Sequence, residues 1–243
     1  MSNYLLSIGA ISKHQHGFVT KRSTTCTHLL ETLNDWTLSI DNRLAQTVVY
    51  VDFARAFDSV PPDKLQIKLE AYGICGDLLS LFMDFLHNRT QVTKVGYELS
   101  DPVILTSGVV QGNCLGPLQV PDLYSLNDFT QIFSSTATPK LYADDLKLYA
   151  TLTCNNDEIA FRKNLDMLSN WSKTWQLPIS INKCQHLTIG RRRSKTTTTF
   201  SLDDTVLPAP TLVNDLGILI DSGLTFSDHI DKITSKAHQR IVT

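Results

Sequence analysis

The sequence lacks the features that mark several common classes of protein. Its five cysteines are scattered, odd in number and without a C-x-x-C pair, which argues against a zinc site or a disulfide framework and for reduced thiols. No apolar run approaches the roughly 18 residues of a membrane span, and the N-terminus has no signal-peptide pattern. We therefore expect an intracellular protein, cytoplasmic or nuclear, with no membrane partner.

A surplus of positive charge is also absent. The chain has 22 Lys and Arg against 24 Asp and Glu, a formal net charge of −2. The molecule as a whole therefore does not attract polyanions, and any affinity for phosphate must come from local patches. In other respects the composition fits a folded protein. A chain of 243 residues, 42% of them hydrophobic, is long enough for one large domain or two small ones with a packed core.

Helix and strand patterns follow one another in mixed order, which predicts an α+β protein. Helices are predicted at residues 27–44, 61–73, 77–88, 156–175 and 227–240. Strands are predicted at 47–53, 91–95, 103–106, 141–143, 146–150, 185–189, 200–202 and 213–220. The first helix is expected to bury Leu29, Leu30, Leu33, Trp36 and Ile40, and the last helix Ile230, Ile233 and Ala237.

Acidic residues stand at the ends of two apolar strand segments. Asp52 comes near the end of the strand 47–53, and Asp144 and Asp145 form the tip of the hairpin 141–150. Desolvating a carboxylate costs several kcal/mol, and two carboxylates about 4 Å apart repel each other by about 4 kcal/mol at an effective dielectric constant near 20. A divalent cation reverses the sign of that interaction, and three Asp side chains on neighbouring strands suit Mg²⁺.

Each acidic segment has an ordinary structural explanation when it is taken alone. An Asp at a strand end is more often a cap or turn residue than a metal ligand. An aromatic-x-Asp-Asp tip between buried apolar flanks, taken together with Asp52, reverses that preference. The two segments therefore predict a paired-metal site of the kind that catalyses phosphoryl transfer in polymerases and nucleases.

Further motifs lie between and beyond the acidic ones. A loop with two glycines around a glutamine, Ser107 to Gly112, allows close backbone approach to a ligand. The full set of motifs, in this order, resembles that of reverse transcriptases of non-LTR (LINE-type) retrotransposons over about residues 14–236. The segments that carry the resemblance are Gln15-His16-Gly17-Phe18, Arg22-Ser23-Thr24, Val51 to Asp58, Ser107 to Gly112, Leu115-Gly116-Pro117, Tyr142-Ala143-Asp144-Asp145, Trp171-Ser172, Asn182-Lys183-Cys184 and Asp215-Leu216-Gly217.

The resemblance implies a fold and its divisions. The fold would be a right-hand polymerase palm, an antiparallel sheet backed by helices, with partial fingers and only the start of a thumb. Residues 1–46 would be partial fingers, and residues 47–190 the palm with inserted fingers-type helices and strands. Residues 191–226 would connect palm and thumb, and residues 227–243 would begin the thumb.

The resemblance also implies roles in catalysis. Asp52, Asp144 and Asp145 match the carboxylates that hold two Mg²⁺ ions, for which Mn²⁺ can substitute. Lys183 matches a basic residue that protonates pyrophosphate. The implied activity is RNA-directed DNA polymerisation, and its partners are an RNA template, a DNA primer and deoxynucleoside triphosphates.

Other residues are implied in binding the nucleotide and the primer. Phe57 matches an aromatic gate that excludes the 2′-hydroxyl of the incoming nucleotide. The full set of implied nucleotide-binding residues is Phe53, Phe57, Gln111, Gly112 and Arg22. Leu216 and Gly217 match a turn that grips the primer.

Two other readings stay open from the sequence. The chain shows no upstream Arg-Pro fingers segment and little of a thumb, and Pro121 falls inside a helix under the implied active site, where a proline costs roughly 3 kcal/mol. These departures favour an inactive remnant that keeps the palm fold and at most binds nucleic acid. For an active polymerase, we expect a longer polyprotein to supply the missing fingers, thumb and endonuclease parts. A carboxylate–metal nuclease on another fold would share the aspartates, but it would not explain Phe57 or Ser107–Gly112.

Overall fold

The structure, a computed structural model, describes residues 2–17, 19, 26–109, 132–133, 136–190 and 198–241. The described helices are α1 (Ser2–Ser7), α2 (Cys26–Asp41), α3 (Pro62–Ala71), α4 (Gly76–Leu86), α5 (Asn155–Trp175) and α6 (Ser227–Ile241), with a short 3₁₀ helix at Ile181–Lys183. The strands are β1 (Gln46–Val51), β2 (Thr90–Gln91), β3 (Lys94–Val95), β4 (Glu98–Leu99), β5 (Val103–Ile104), β6 (Thr138–Tyr142), β7 (Asp145–Thr151), β8 (Gln185–Ile189), β9 (Ser201–Leu202), β10 (Thr205–Val206), β11 (Leu212–Asp215) and β12 (Ile218–Asp221). Within the described ranges, no helix is both long enough and apolar enough to cross a membrane.

The centre of the fold is a four-stranded sheet in the order β6-β7-β1-β8, in which every pair of neighbours is antiparallel. Strand β1 lies in the interior of the sheet, and its run of β-branched and aromatic residues from Thr47 to Val51 suits a strand covered on both faces. Strands β6 and β7 form the predicted hairpin, but its turn is Ala143–Asp144 instead of the expected Asp144–Asp145, because Asp145 pairs with Tyr142 and begins β7. The antiparallel sheet with its helices confirms the predicted α+β class.

One face of the sheet packs against α3, α4 and α5. Val49 and Val51 of β1 point to this face and join Leu146 and Leu148 of β7 in the larger hydrophobic core. Phe161 of α5 is fully buried in the same core. Helix α3 starts with Pro62 in its first turn, where the missing N–H has no helical partner to lose.

The opposite face packs against α2 and the hairpin β11–β12. Val48 and Tyr149 alternate with the residues of the larger core and meet Val213 in a second, smaller core. Trp36 of α2 is fully buried there and contacts the ring of Tyr149 edge to face, with 5.9 Å between ring centroids. The prediction that Leu30 belongs to this buried side is wrong. Its side chain is 65% exposed, because adjacent residues on a helix point in different directions.

Three other predictions about local structure are wrong. The single strand expected at 213–220 is two strands, β11 and β12, joined at Leu216 and Gly217, whose φ angles are +48° and +90°. The strand expected at 91–95 is split into β2 and β3, the one expected at 103–106 is shortened to β5, and β4 lies between them. These four strands of two residues each pair as β2–β5 and β3–β4. Helix α6 does not bury its apolar side: Ile230 is 52% and Ile233 49% exposed, and Ala237 is exposed too. The helix contacts β12 and leaves that side open.

Candidate active site

The strand register brings the two predicted acidic segments together. The last pair of the β1–β7 ladder joins Val51 and Leu146, so the next position along each strand sets Asp52 opposite Asp145. Opposite residues of antiparallel strands share a face and have Cβ atoms about 4.5–5.5 Å apart. This is the face that carries α2 and β11–β12, because Leu146 points into the core on the other face.

Asp52 and Asp145 line one cleft, which has a volume of about 280 Å³. Its wall combines β1 and β7 with residues of α2, the 3₁₀ helix, β8 and the β11–β12 hairpin. Lys183 and the turn residues Leu216 and Gly217 line the same cleft. Five predicted site residues that are distant in sequence therefore meet in one place.

Negative charge is concentrated at Asp145. Asp145 is exposed at the start of β7, yet partial burial of its carboxyl group in the cleft raises its pKa to about 6, and the charges of Asp144, Asp52 and Asp215 add to the rise. Asp52 has a cationic neighbour, because Nζ of Lys183 lies 3.3 Å from its Oδ1. Both side chains of that pair are open to solvent, so it contributes little to stability and leaves Lys183 able to move.

Asp144 belongs to the two-residue turn between β6 and β7 rather than to a strand. It is half-buried, and its charge reaches Asp145. The preceding residue, Ala143, has a φ of +55°, the left-handed conformation that Asn, Asp and Gly adopt most readily. The three aspartates thus lie at the same end of the sheet, two on the cleft wall and one on the adjoining turn.

The chemistry of these side chains fits a hard divalent cation. In the part of the chain that the structure describes, no three His, Cys, Asp or Glu side chains form a ready-made ion cluster. Mg²⁺ does not require one, since it commonly keeps several waters and is held by one or two carboxylates together with substrate phosphates. Asp52 and Asp145 supply such carboxylates, and the charges of Asp144 and Asp52, which after burial raise the pKa of Asp145, are ones that a bound cation would offset.

Phe53 and Phe57 lie on the core side of the site. Phe53 forms an isolated β-bridge with Ile179, and its ring centroid is 6.2 Å from that of Trp171. Phe57 is half-buried, and its carbonyl oxygen accepts a hydrogen bond of 2.8 Å from the N–H of Val109. The segment after Asp52 therefore touches the start of the predicted nucleotide loop. The predicted residues that lie outside the described ranges are Arg22, Gln111, Gly112 and Pro121.

A buried ion pair in the cleft wall has no counterpart among the predicted site residues. The ammonium group of Lys147 binds the carboxylate of Asp215, and the two residues are only 2% and 5% exposed. Burial lowers the pKa of Lys147, and the charge of Asp215 opposes that shift. Burial and the same carboxylate raise the pKa of the neighbouring Tyr50 well above its usual value. The sequence does contain a signal for Lys147. Alternate residues of a strand lie on the same face of the sheet, so Lys147 shares a face with Asp145 and Tyr149.

Known proteins with similar sequences point in one direction. Residues 1–219 match the family model described as reverse transcriptase (RNA-dependent DNA polymerase). The chain is 28% identical over 243 residues to the probable RNA-directed DNA polymerase from transposon BS of Drosophila melanogaster, an alignment that covers 94% of this chain and 26% of that protein. It is 28% identical over 233 residues to the RNA-directed DNA polymerase from mobile element jockey of the same species, covering 92% of this chain and 25% of the other. The chain spans about a quarter of the length of these relatives.

Solved structures that share the fold include telomerases from Candida species. Apo telomerase from Candida tropicalis aligns with a TM-score of 0.61 at 11% identity, covering 93% of this chain and 38% of that one. A form of the same protein truncated from its C-terminal domain aligns with a TM-score of 0.55 at 12% identity, covering 93% of this chain and 42% of the other. At such low identity the likeness concerns the fold alone, and it agrees with a polymerase palm.

Proposed function

The chain belongs to the reverse transcriptase (RNA-dependent DNA polymerase) family, and we propose that it is the palm region of an RNA-directed DNA polymerase from a non-LTR retrotransposon. In this role it joins deoxynucleotides to the 3′-hydroxyl of a DNA primer that is paired with an RNA template. The observation that carries the proposal is the single cleft in which Asp52, Asp145, Lys183 and the turn Leu216–Gly217 meet.

The residues that would hold divalent cations are Asp52, Asp145 and the adjoining Asp144. Mg²⁺, or Mn²⁺ in its place, lowers the pKa of a hydroxyl nucleophile and neutralises charge on phosphate groups when it is bound. The contribution of the chain is positioning. The β1–β7 register fixes the backbone positions of Asp52 and Asp145 before any substrate arrives, and charges arranged in advance need no reorganisation during the reaction.

Lys183 and the β11–β12 turn complete the cleft. The ammonium group of Lys183 lies beside Asp52 and is mostly exposed, so it can reach a leaving pyrophosphate and donate a proton to it. Leu216 and Gly217 both have positive φ angles, which turn the chain sharply and present backbone atoms along the cleft. We assign this turn to the support of the primer strand.

We assign nucleotide binding to the segment after Asp52 and to the loop that it touches. Phe57 would exclude the 2′-hydroxyl, and Phe53, Arg22, Gln111 and Gly112 would complete the nucleotide site. Two backbone hydrogen bonds support this assignment. The N–H of Val109 donates to the carbonyl of Phe57, and the N–H of Gly108 donates to that of Val60, each at 2.8 Å.

The partners in this proposal are an RNA template, a DNA primer and deoxynucleoside triphosphates. We assign residues 1–46 to partial fingers, 47–190 to the palm, 191–226 to the palm–thumb connection and 227–243 to the start of a thumb. Because the chain spans about a quarter of its relatives, we propose that a longer polyprotein supplies the other fingers and thumb parts and an endonuclease. The formal charge of −2 requires that phosphates bind at local positive groups such as Lys183.

A primer-extension assay tests the proposal. The purified chain is incubated with an RNA template, a DNA primer and deoxynucleoside triphosphates, with Mg²⁺ or with Mn²⁺. Asp144→Ala is expected to slow extension by at least about 10²-fold, because it removes one of the preorganised charged groups. Extension by the wild type that is lost in Asp144→Ala supports the polymerase.

Asp166→Ala is the matched control, because it removes an exposed carboxylate from α5, which packs on the other face of the sheet. This variant is expected to extend the primer at the wild-type rate. Equal extension by Asp144→Ala and Asp166→Ala would contradict the assigned site. No extension by any folded form would contradict the polymerase proposal and favour the inactive remnant.

A further inference from the structure

The proposed mechanism does not use the contact between the segment 14–17 and the tip of the β6–β7 hairpin, which carries Asp144 and Asp145. This segment runs parallel to β6 and adds to its edge. The N–H of His16 donates to the carbonyl of Leu141 at 2.9 Å, and the N–H of Leu141 donates to the carbonyl of His14 at 3.0 Å. Gln15 lies between these two bonds and is fully buried.

The side chain of Gln15 binds the backbone of Ala143, one residue before Asp144. Its Oε1 accepts hydrogen bonds from the N–H of Gly17 at 2.8 Å and from the N–H of Ala143 at 3.2 Å. Its Nε2 lies 3.5 Å from the carbonyl oxygen of Ala143. Two backbone donors meet one side-chain atom, so that atom must be the amide oxygen, and the orientation of the amide is fixed.

Ala143 needs such support because its backbone is strained. A φ of +55° in a residue with a Cβ costs about 1–2 kcal/mol, and conformations of this kind persist only where the surroundings determine them. Gln15 contacts both the N–H and the carbonyl of this residue. The strained turn therefore has a buried side chain that specifies its geometry.

Gly17 makes room for this contact. A Cβ on Gly17 would lie 2.4 Å from the nitrogen of Ala143, closer than real Cβ atoms approach, and 3.1 Å from its Cα, a tight contact. It would also lie 3.2 Å from Oε1 of Gln15. A glycine at this position thus lets two backbone segments approach each other, and a methyl group there would push the hairpin tip away.

We propose that Gln15 and Gly17 form a clamp that holds the backbone at Ala143 and so positions the carboxylates of Asp144 and Asp145. Gln15 acts through the hairpin backbone, which makes it a positioning residue. The functional part of the inference rests on the proposed polymerase function. The clamp itself is a property of the fold and has its own test.

The test compares Gln15→Met with Gln46→Met in the full chain. Gln46 is also a buried glutamine, 5% exposed, and its Nε2 donates to Oγ of Ser39 at 2.8 Å. It pairs with Thr151 at the far end of β1 from the cleft. Both variants lose a buried amide of the same size, but only Gln15→Met releases Ala143.

Three measurements separate positioning from mere stability. Amide hydrogen exchange at Ala143 is expected to become about fivefold faster or more in Gln15→Met, since it loses an acceptor, and to stay unchanged in Gln46→Met. Mn²⁺ affinity, followed by electron paramagnetic resonance, is expected to fall in Gln15→Met alone. In primer extension, Gln15→Met is expected to lower kcat at least about tenfold with little change in KM, because small misplacements of catalytic groups have large effects on rate.

Gly17→Ala offers a second route to the same displacement, without removing any polar group. Its control is Gly223→Ala, since Gly223 likewise has no positive φ and a Cβ there would lie 3.2 Å from Oδ1 of Asp221. Gly17→Ala is expected to reproduce the faster exchange at Ala143 and the lower Mn²⁺ affinity, and Gly223→Ala to show neither.

The outcomes distinguish failure of the clamp from failure of the polymerase proposal. If the wild type extends no primer, the proposed function is wrong, and the clamp is then tested by the amide exchange rate of Ala143 and by Mn²⁺ affinity. Equal exchange rates of Ala143 in Gln15→Met and Gln46→Met would overturn the clamp. Faster exchange with unchanged Mn²⁺ affinity would show a merely structural contact and overturn the positioning role, as would a wild type that binds no Mn²⁺.

Discussion

The buried pair of Lys147 and Asp215 allows a sharp prediction about what holds the β11–β12 hairpin against the palm sheet. Lys147 belongs to β7, two residues after Asp145, and Asp215 is the last residue of β11. The ammonium group also lies 5.5 Å from the centroid of the Trp36 ring. The Lys147→Met substitution keeps the aliphatic length of the side chain and removes only the charge and its donors.

The size of the effect follows from burial. Lys147 is 2% and Asp215 5% exposed, so removing one partner leaves an uncompensated charge that water does not reach. Breaking a buried pair in this way costs about 3–5 kcal/mol, whereas replacing both partners with apolar residues is often neutral or stabilising. Lys147→Met is therefore expected to lower the free energy of unfolding by about 3–5 kcal/mol, a large part of the total of about 5–15 kcal/mol for a typical domain.

A double-mutant cycle in urea measures this coupling. The singles Lys147→Met and Asp215→Leu are each expected to be strongly destabilised, and the double variant to recover most of the loss. Lys173→Met is the control, because its partner Asp203 lies 2.6 Å away but the two side chains are 63% and 37% exposed, and exposed pairs contribute about 0–1 kcal/mol. If Lys147→Met costs no more than Lys173→Met, or if the double variant loses the sum of the singles, the reasoning about burial is refuted.

Two further predictions concern the charged cleft. Asp145→Asn is expected to raise the thermal unfolding midpoint at pH 7 in the absence of metal. Added Mg²⁺ is expected to stabilise the wild type more than this variant. Equal midpoints of wild type and variant at pH 7 without metal would contradict the prediction. Partial burial raises the pKa of Asp145 to about 6, above the unfolded value of about 3.9. Its ionised form therefore destabilises the fold above pH 6, by a small amount because the residue is exposed and solvent screens its charge. That penalty shrinks as the pH falls through 6 and disappears below about 4, so the two midpoints are expected to converge there. Lys183→Met is expected to change the free energy of unfolding by less than about 1 kcal/mol, because its pair with Asp52 is exposed, yet to slow primer extension about 10²-fold; a wild-type extension rate would remove Lys183 from the mechanism.

The elements predicted well from sequence are those whose patterns are local. The helix expected at 156–175 is α5, Asn155–Trp175, and the strand expected at 185–189 is β8. The apolar periodicity of each element lies within it, and the turn residues that bound it are its immediate neighbours in sequence. The prediction of one strand at 213–220 was wrong because the local pattern does not show the turn. Apolar residues lie on both sides of the turn and within it. Leu216 also has a left-handed φ of +48°, a conformation that the residue type leucine does not predict.

The candidate site was predictable to a similar extent. Asp52 and Asp145 could be expected to meet because each stands at the end of an apolar strand, and antiparallel neighbours bring such ends together. The pairing of Lys147 with Asp215 could not be predicted, because Asp215 is 68 residues away in sequence and reaches β7 only through the fold of β11–β12. The contact of Gln15 with Ala143, 128 residues apart, also depends on a strand pairing that no local pattern shows. The roles of Arg22, Gln111 and Gly112 remain predictions.

The buried pair and the open cleft divide the charges in a way that explains why a cation fits. Lys147 and Asp215 form an ion pair inside the wall, and their effects on the pKa of Asp145 are opposite, since Asp215 raises it and Lys147 lowers it. Among the described residues, the ammonium group that forms an ion pair with a carboxylate of the cleft outside that buried pair is that of Lys183, beside Asp52. When all three carboxyl groups are ionised, this arrangement leaves an excess of two negative charges, the charge that one divalent cation balances. A lysine without that partner would cancel more of the excess, so we expect the pairing of Lys147 with Asp215 to favour the binding of a divalent cation in the cleft.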